Sequence, residues 1–401
     1  MKLASKLASV AVVAVVATTV VACGSSGGSS GSKASVSSCT STVPGYCDLV
    51  AKAQKEGKFV VLSGPEGVGD DGDFYKAFGK QFGLKVTVVG GAADEVNSKI
   101  IAERKEGQYT ADISSQGDNG TKRLLAANAF QPLEPLVIDP SLKDRTSTTQ
   151  WRVNYFPWED AQKTYCSDIA VESQINFAPI YYNTKLVKGA DLAGLTSWQS
   201  LLDPKWKGKI VMGDIASGDD SSDVVRAYLR LGQGWFSQLI GSQQPKVLKF
   251  GSERAEADDL ANGQFAIALF PAGEDSLQTA VTQKLPIASM DKTMSEGTTG
   301  TPIQRLCAMD HPQDPAVTQL FVNWSLSEQG QAAFNATTNR TDRVALREDA
   351  PQGKISNTIW QLAQETKPDQ IIDPSSTEYL NGYKAAQDFF KQEFQAVGIK
   401  P

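Results

Sequence analysis

Hydroxyl and carboxylate side chains recur in four glycine-containing loops, each of which follows a short apolar stretch. The loops read SGPEGVGDDGD at 63–73, SSQGDN at 114–119, GDIASGDDSSD at 213–223 and FPAGED at 270–275. Small residues let backbone N–H groups approach a ligand, and hydroxyls or carboxylates can hold it by hydrogen bonds. The side chains that we expect to contact a ligand are Ser63, Glu66, Ser115, Gln116, Ser217, Asp219, Ser221 and Glu274.

Other interpretations of these loops stay open. Ser222 or Asp223 could act as helix N-caps. The acidic pairs at 70–71 and 219–220 could be solvated turn residues, since Asp and Gly commonly form turns. If two of the carboxylates face a cleft instead, the site favours a cation or an amine-bearing zwitterion over a simple oxyanion.

Catalytic signatures do not accompany these side chains. No G-x-S-x-G nucleophile elbow occurs after residue 39, and a single histidine cannot form H-E-x-x-H. The string GPEGVGDDG lacks the G-K-[ST] of a phosphate-binding loop. Glu66 and Asp219 could serve as acid and base across a cleft, but nothing favours that chemistry over binding. We therefore expect a binding protein without a cofactor, not an enzyme.

The segments around the first loops alternate between strand and helix patterns. GKFVVLSG, LKVTVVGG and TADIS are short and strand-like. In GDFYKAFGKQFG, Phe74, Phe78 and Phe82 recur every four residues, which predicts one face of a helix closed by Gly83. DEVNSKIIAERKEG predicts a second helix. This βαβαβ order predicts a parallel sheet with helices on both faces.

A second α/β set begins near Ile175. INFAPIYYN, KIVMGD and FAIALF predict strands, and DVVRAYLRLG predicts a helix. SWQSLLDPKWKG predicts a short helix that ends at Pro204. Farther along, Asp314 and Pro315 mark the N-cap and first turn of a helix, and NGYKAAQDFFKQEF predicts a last amphipathic helix.

The size and charge of the chain limit its organisation and its partners. Of the 401 residues, about 360 remain after the N-terminal segment, which favours two lobes over one. A 41% hydrophobic content supplies enough apolar side chains for a core. The net charge of −6 argues against a nucleic-acid partner and against general attraction to lipid headgroups.

The first residues of the chain have the composition of an export signal. Lys2 and Lys6 supply positive charge, and an Ala/Val-rich segment runs from 8 to 22. This segment is too short to span a bilayer, which needs about 20 consecutive apolar residues, and a Gly/Ser-rich string follows it. We therefore expect residues 1–22 to be a signal peptide.

Val20-Val21-Ala22-Cys23 resembles the lipobox of bacterial lipoproteins. In that class the cysteine thiol is diacylated, by palmitate-like chains, and the cysteine becomes the mature N-terminus. The resemblance implies that Cys23 holds the protein on the extracytoplasmic face of the cell membrane and that residues 23–46 form a tether. The alternative is an ordinary cleaved signal with an unmodified cysteine.

Four cysteines remain beyond Cys23, and export permits disulfides. Cys39 and Cys47 lie close together in the sequence and are expected to pair. Cys166 and Cys307 would then form a second disulfide. The alternative is that both pairs are free thiols.

Longer strings resemble one protein family. They read YYNTKLV at 181–187, SWQSLLDPKWKGKIVMGD at 197–214 and FVNWSLSEQGQAAF at 321–334, with AERKEGQYTADI at 102–113 as weaker support. They are similar to the extracellular solute-binding proteins of bacterial ABC importers, which have the type II periplasmic-binding-protein fold. The similar branch includes binders of ferric iron, polyamines, thiamine and phosphonates.

This resemblance implies an α/β fold with two lobes, each a mostly parallel sheet flanked by helices, joined by crossover hinge strands that close on a solute. The first lobe would cover 47–170 and resume at 297–345. The second lobe would cover 171–296, and a C-terminal helical extension would cover 346–401. The four loops would then meet at the cleft between the lobes.

The implied function is that of a substrate-binding lipoprotein that delivers a small solute to a membrane permease and works as a monomer. The acidic loops favour an amine-bearing or zwitterionic organic solute, such as a polyamine, an aminophosphonate or a thiamine-like compound. A ferric-iron-binding protein of the same family and a lipid-anchored sensor without transport are the alternatives.

The usual ligands for ferric iron are missing from their expected places. Iron binders of this family often carry a tyrosine pair after the strand that here reads FAIALF, where this chain has PAGED. Tyr181 and Tyr182 belong instead to the family's Tyr-Asn-Thr-Lys strand, and the one histidine, His311, lies between Asp310 and Pro312. We therefore expect no metal ligands, although an oxygen-rich carboxylate site stays open.

Overall fold

The computed structural model describes residues 39–64, 72–91, 93–143, 151–152, 165–216, 222–249, 252–290, 294–338, 343–366, 370–372 and 376–399. The predicted signal peptide, Cys23 and most of the tether lie outside these residues. Within them, no helix is long and apolar enough to cross a membrane.

The described part of the chain contains eleven strands, twelve α-helices and five shorter helical segments. The shorter segments are the 3₁₀-helices Glu134–Leu136, Pro140–Lys143, Trp198–Leu202 and Pro204–Trp206 and the π-helix Leu239–Gln243, so the single helix predicted before Pro204 is two 3₁₀ turns. The strands are β1 (Lys58–Ser63), β2 (Lys85–Gly90), β3 (Ile113–Gln116), β4 (Cys166–Ile175), β5 (Ile180–Asn183), β6 (Ile210–Gly213), β7 (Lys246–Leu248), β8 (Ile267–Leu269), β9 (Ile287–Ser289), β10 (Thr298–Ala308) and β11 (Arg343–Ala345). The helices are α1 (Tyr46–Glu56), α2 (Gly72–Phe82), α3 (Ala93–Lys105), α4 (Asp118–Ala126), α5 (Ala190–Gly194), α6 (Ser222–Gln238), α7 (Glu253–Ala261), α8 (Glu274–Thr282), α9 (Pro315–Leu326), α10 (Glu328–Thr337), α11 (Asn357–Glu365) and α12 (Thr377–Ala396).

The strands form two sheets, and we call each sheet with its helices a lobe. The first sheet has the order β11-β4-β10-β3-β1-β2, and the second has the order β7-β6-β8-β5-β9. The βαβ pairs β1–β2, β1–β3, β6–β7 and β6–β8 are parallel, as predicted. All pairings of β4, β5 and β10 are antiparallel. Each sheet is therefore mixed rather than mostly parallel, because the strands that cross between lobes enter against the βαβ direction.

Aromatic side chains at helical spacing fill the first core. Phe74, Phe78 and Phe82 of α2 are buried on one face, as their spacing predicted. Phe78 packs edge-on against Phe59 of β1, with ring centroids 5.2 Å apart, and Phe74 stacks on Trp324 of α9 at 5.0 Å. Fully burying each such side chain contributes about 1.5–3 kcal/mol.

The second core includes the end of the chain. Trp198, Phe236 of α6 and Phe390 of α12 are fully buried in one apolar cluster. Helix α11, by contrast, packs against β4 and β11 of the first sheet. The segment that the sequence presents as one C-terminal extension thus divides between the two sheets.

Two crossover segments join strands of one sheet to strands of the other, and the chain crosses a third time between α11 and α12. The first runs from β4 to β5 through Asn176 and Phe177, whose φ angles of 66° and 67° are in the left-handed region. The second runs from β9 to β10. The Asn176 Oδ1 accepts a hydrogen bond from the Met294 N–H at 2.5 Å, which ties one crossover to the other.

Both predicted disulfides are present. Cys39 pairs with Cys47, and Cys166 pairs with Cys307. Cys166 of β4 and Cys307 of β10 are register partners, with their Cα atoms 4.3 Å apart, so the second disulfide locks neighbouring strands.

The predicted cap of α9 needs a correction. Asp314 occupies the N-cap position, but its side chain makes no capping hydrogen bond. The Glu56 carboxylate accepts hydrogen bonds from the Ala316 and Val317 N–H groups at 3.2 and 2.9 Å instead. Asp314 is drawn away because its own N–H donates to the buried carboxylate of Asp112.

Candidate functional site

The carboxyl ends of β1 and β3 bring three of the predicted binding residues together. Ser63 is the register partner of Ser115, and Gln116 is the next residue along β3. All three side chains are buried. The Ser63 Oγ has no hydrogen-bond partner among the described residues, so a polar atom is available at this edge of the sheet.

Gln116 is fixed in place at the start of α4. Its Nε2 donates to Asn97 Oδ1 at 2.9 Å, and the Asn97 Nδ2 donates to the Gly120 carbonyl oxygen at 3.0 Å. The Gln116 Oε1 is buried without a partner in the described part of the chain. A side chain at position 120 would overlap with this oxygen, because a Cβ atom added to Gly120 would lie closer to it than van der Waals contact allows. An alanine at position 120 would therefore require the Gln116 side chain to move.

In the second sheet, β6 and β8 end side by side. The Gly213 N–H donates to the Phe270 carbonyl oxygen at 2.9 Å. Asp214 follows β6 directly and is buried, and its Oδ1 accepts from the Ala216 N–H at 3.1 Å. The chain from Asp214 therefore leads straight to the loop at 217–221.

The remaining predicted binding residues have two outcomes. Glu66, Ser217, Asp219 and Ser221 lie outside the described residues. Glu274 is the first residue of α8, and its Oε1 accepts hydrogen bonds from the Tyr181 hydroxyl at 3.1 Å and the Gln278 Nε2 at 2.9 Å. Its carboxylate therefore ties α8 to β5 within the second lobe.

Beyond the end of β3, the strands β4, β10 and β11 carry a row of buried polar side chains. Arg305 of β10 is the register partner of both Gln116 and Asp168, and Glu172 is the partner of both Thr301 and Arg343. Side chains alternate between the two faces of a strand, so these residues share one face. We call this row the crossover wall, and its members are Asp168, Glu172, Thr301, Arg305 and Arg343.

Ion pairs balance the charges of the crossover wall. The Arg305 Nε and Nη2 donate to the two carboxylate oxygens of Asp168 at 3.3 and 3.2 Å. Glu172 lies 3.8 Å from Arg343 and 3.8 Å from Arg226, which comes from α6 in the second lobe. Arg226 also pairs with Asp223 in the first turn of its own helix.

Arg305, Arg343 and Arg226 therefore each have a carboxylate partner among Asp168, Glu172 and Asp223. Asp214 adds one more carboxylate at the end of β6. Burial makes each unpaired charge costly, which explains why every arginine here has an acidic partner. The arrangement provides directional hydrogen-bonding groups without an excess of positive charge.

The crossover wall and Arg226 were missed by sequence reasoning. A signal was available, because CSDIAVESQI places Asp168 and Glu172 four residues apart, on one face of a strand and on either side of the apolar run 169–171. The partners could not be found in the same way, since Arg305 lies 137 residues from Asp168 in the sequence.

The residues considered as iron ligands lie elsewhere. Tyr181 is buried, and its hydroxyl donates to Glu274. His311 follows the end of β10, and Ala308, the last residue of that strand, pairs with the first residue of β3. His311 therefore lies near the amino end of β3, whereas Gln116 lies at its carboxyl end. The His311 ring stacks on Tyr109 with centroids 4.3 Å apart. No group of three or more His, Cys, Asp or Glu residues placed to hold a metal ion occurs within the described ranges.

Solved structures with the same architecture are two-lobed periplasmic binding proteins. A Trichodesmium protein (IdiA, FutA) in complex with iron and citrate is 18% identical, with 86% of this chain and 100% of that chain covered at a TM-score of 0.57. A ferric binding protein from Campylobacter jejuni is 16% identical, with 83% and 99% covered at a TM-score of 0.56. AfuA from Actinobacillus pleuropneumoniae, with exogenous fructose-6-phosphate bound, is 15% identical, with 84% and 99% covered at a TM-score of 0.52. At these identities the likeness establishes the fold.

The chain belongs to the family of bacterial extracellular solute-binding proteins, whose sequence model matches residues 73–364. This confirms the resemblance inferred from the sequence strings and makes the protein a binding protein rather than an enzyme. A comparison with curated protein sequences found no match.

Proposed function

We propose that this protein captures a small solute between its two lobes and delivers it to the permease of an ABC importer. The family assignment supports the capture of a solute outside the cytoplasm. The meeting of Ser63, Ser115 and Gln116 at the carboxyl ends of parallel strands supports the location, because open α/β sheets bind ligands at that edge.

The solute that the charges favour is an amine-bearing or zwitterionic organic compound. The observation that carries this proposal is that both arginines of the crossover wall already pair with carboxylates, Arg305 with Asp168 and Arg343 with Glu172, which makes them less suited to a simple oxyanion. Asp214 is a buried carboxylate at the end of β6. A carboxylate at a buried edge favours a cationic group by a charge-assisted hydrogen bond.

Ferric iron is the second candidate, because two similar structures are described as iron-bound or as ferric binding proteins. A sensor that binds solute without transport is the third. The iron candidate requires oxygen ligands from loops such as 63–73 and 213–223, which hold carboxylates. The test of the solute class must therefore include iron.

A thermal-shift screen of residues 32–401 with both disulfides intact tests the solute class. Residues 38–401 form one compact unit, which supports the use of this soluble form. The panel contains polyamines, aminophosphonates, thiamine, phosphorylated sugars and ferric citrate. A ligand at 100 times its Kd stabilises the fold by about 2.7 kcal/mol, which is a shift of several degrees in Tm. A response to ferric citrate alone would overturn the amine proposal.

Substitution of Asp214 sharpens this test. Asp214→Asn is expected to weaken binding of the amine hit by about 10- to 100-fold, because a hydrogen bond to a charged group contributes about 1.5–3 kcal/mol. Asp203→Asn is the matched control, since Asp203 caps a short helix in the same lobe by accepting from the Lys205 N–H. Isothermal titration calorimetry measures both. Equal affinities for the two variants would contradict a role for Asp214.

The lipid anchor at Cys23 completes the proposal. Cys23→Ala is expected to release the protein from membranes into the soluble fraction, because the thiol that accepts the lipid is gone. Fractionation of cells that express either form, followed by immunoblotting, measures the release. Solute binding by the released protein serves as the control, and unchanged membrane association would contradict the anchor.

A further inference from the structure

One buried carboxylate is shared by arginines from both lobes. Glu172 lies on β4 of the first sheet, 3.8 Å from Arg343 of β11 in the same sheet and 3.8 Å from Arg226 of α6 in the second lobe. The side chains of Arg226, Arg343 and Glu172 are 2%, 9% and 10% exposed. The ion pair between Glu172 and Arg226 therefore links the two lobes in a region from which water is nearly excluded.

Arg226 is attached firmly to the second lobe. It belongs to the second turn of α6, whose residues Val224, Val225 and Ala227 are buried in the second core. Arg226 also pairs with Asp223 one turn earlier, which holds the guanidinium against its own helix. Any movement of Arg226 away from Glu172 must therefore carry the start of α6 with it.

The start of α6 is also where the predicted binding loop ends. The loop at 217–221 connects Asp214 and β6 to Ser222, the first residue of α6. A contact that fixes Arg226 against the crossover wall thus fixes the start of α6, to which that loop is joined.

Separation of the lobes would break the pair between Glu172 and Arg226 but keep the pairs within each lobe. Glu172 would retain Arg343, and Arg226 would retain Asp223. In the closed arrangement the nearly water-free surroundings strengthen the attraction within the pair, and closure is favoured to the extent that this attraction exceeds the desolvation cost of the two groups. The open arrangement stays accessible because no charge becomes fully unpaired.

We propose that Glu172 and Arg226 form an interlobe clamp, in which Arg226 is a positioning residue that holds the start of α6 over the cleft when the lobes are closed. The proposal rests on the proposed function only in treating the space between the lobes as the solute site. The clamp sets the ratio of closed to open protein, and through it the rate at which a bound solute leaves.

The clamp can be tested without any solute. Residues 32–401 carry their other cysteines as disulfides, so Lys80→Cys in α2 and Thr279→Cys in α8 supply one exposed label site on each lobe. Single-molecule energy transfer between labels at these sites then gives the populations of closed and open protein. The variants to compare are Arg226→Met, Arg226→Lys and Glu172→Gln.

Arg226→Met is expected to lower the ratio of closed to open protein about tenfold, which corresponds to about 1.4 kcal/mol. It should fold, because Glu172 keeps Arg343 and Asp223 is 23% exposed. Arg226→Lys keeps the charge and is expected to restore most of the closed population. The matched control is Arg347→Met, which removes a buried arginine whose partner, Asp349, lies in the first lobe.

Arg347→Met is expected to lower the Tm without changing the label distances. If Arg226→Met leaves the distance distribution unchanged, the clamp is refuted. A double-mutant cycle gives a second test, since the effects of Glu172→Gln and Arg226→Met must be less than additive if the two residues act as one contact. Strictly additive effects would also refute it. The solute screen and this experiment fail independently, because no solute is present here.

Discussion

The two disulfides close loops of very different length and should therefore contribute unequally to stability. Cys39 and Cys47 are 8 residues apart, whereas Cys166 and Cys307 are 141 residues apart. In the chain-entropy model a cross-link stabilises by restricting the unfolded chain, and the effect grows with the logarithm of loop length. The model gives about 2.5 kcal/mol for the short loop and about 5 kcal/mol for the long one.

The locations of the disulfides increase this difference. Cys39 is exposed and precedes α1, so loss of the disulfide between Cys39 and Cys47 is expected to cause only local fraying of the first described residues. Cys166 and Cys307 are 3% and 0% exposed and join β4 to β10, the strands that lead to both crossovers. Loss of this disulfide therefore affects the centre of the first sheet.

Alanine double variants of each pair provide the comparison, measured by guanidinium unfolding and by differential scanning calorimetry. We expect Cys166→Ala/Cys307→Ala to lose at least about 2 kcal/mol more than Cys39→Ala/Cys47→Ala. Each variant serves as the control for the other, since both remove two thiols from the same chain. Equal losses, or a larger loss for the short loop, would refute the reasoning.

Two further predictions concern single side chains. Burial raises the pKa of Asp112 to about 6, although its carboxylate accepts hydrogen bonds from the backbone of Val60 and Asp314. At pH 5 the folded chain holds this proton, which the unfolded chain has already released, and by pH 7 the folded chain has lost most of it. The free energy of unfolding therefore falls by about 1 kcal/mol as the pH rises from 5 to 7. Asp112→Asn should remove that part of the pH dependence in urea unfolding at the two pH values, and an unchanged dependence would argue against it. Gly120→Ala should displace the Gln116 side chain and abolish the Tm shift by the solute found in the screen, whereas Ala at Gly117, which has open space, should preserve it.

The strands and helices could be predicted because their patterns are local. The spacing of Phe74, Phe78 and Phe82 alone predicts a helix, and the lack of polar residues in FAIALF predicts a buried strand. The parallel direction of β1, β2 and β3 also follows from the βαβαβ order. These inferences need no knowledge of distant parts of the chain.

The crossover wall could not be predicted because its chemistry depends on register between strands far apart in sequence. Asp168 and Arg305 become neighbours only when β4 and β10 align, and Glu172 gains its second partner from α6. Sequence reasoning also assigned the cap of α9 to Asp314, since it could not foresee that Glu56 approaches the same N–H groups. The capping preference of a residue next to the helix is overridden where a side chain from elsewhere in the chain is better placed to accept the hydrogen bonds.

The positions of the contacts along β4 and β10 indicate where the lobes can bend. The disulfide between Cys166 and Cys307 joins β4 to β10 at the start of β4. Two residues farther along β4, Asp168 pairs with Arg305. These links keep β4 and β10 together as one unit. Bending must therefore fall beyond Glu172, where Asn176 and Phe177 already have left-handed backbone angles and the chain leaves the first sheet. A clamp at Glu172 lies on the first-sheet side of that bend, where a rotation of the second lobe separates Glu172 from Arg226 while the pairs of Glu172 with Arg343 and of Arg226 with Asp223 stay intact.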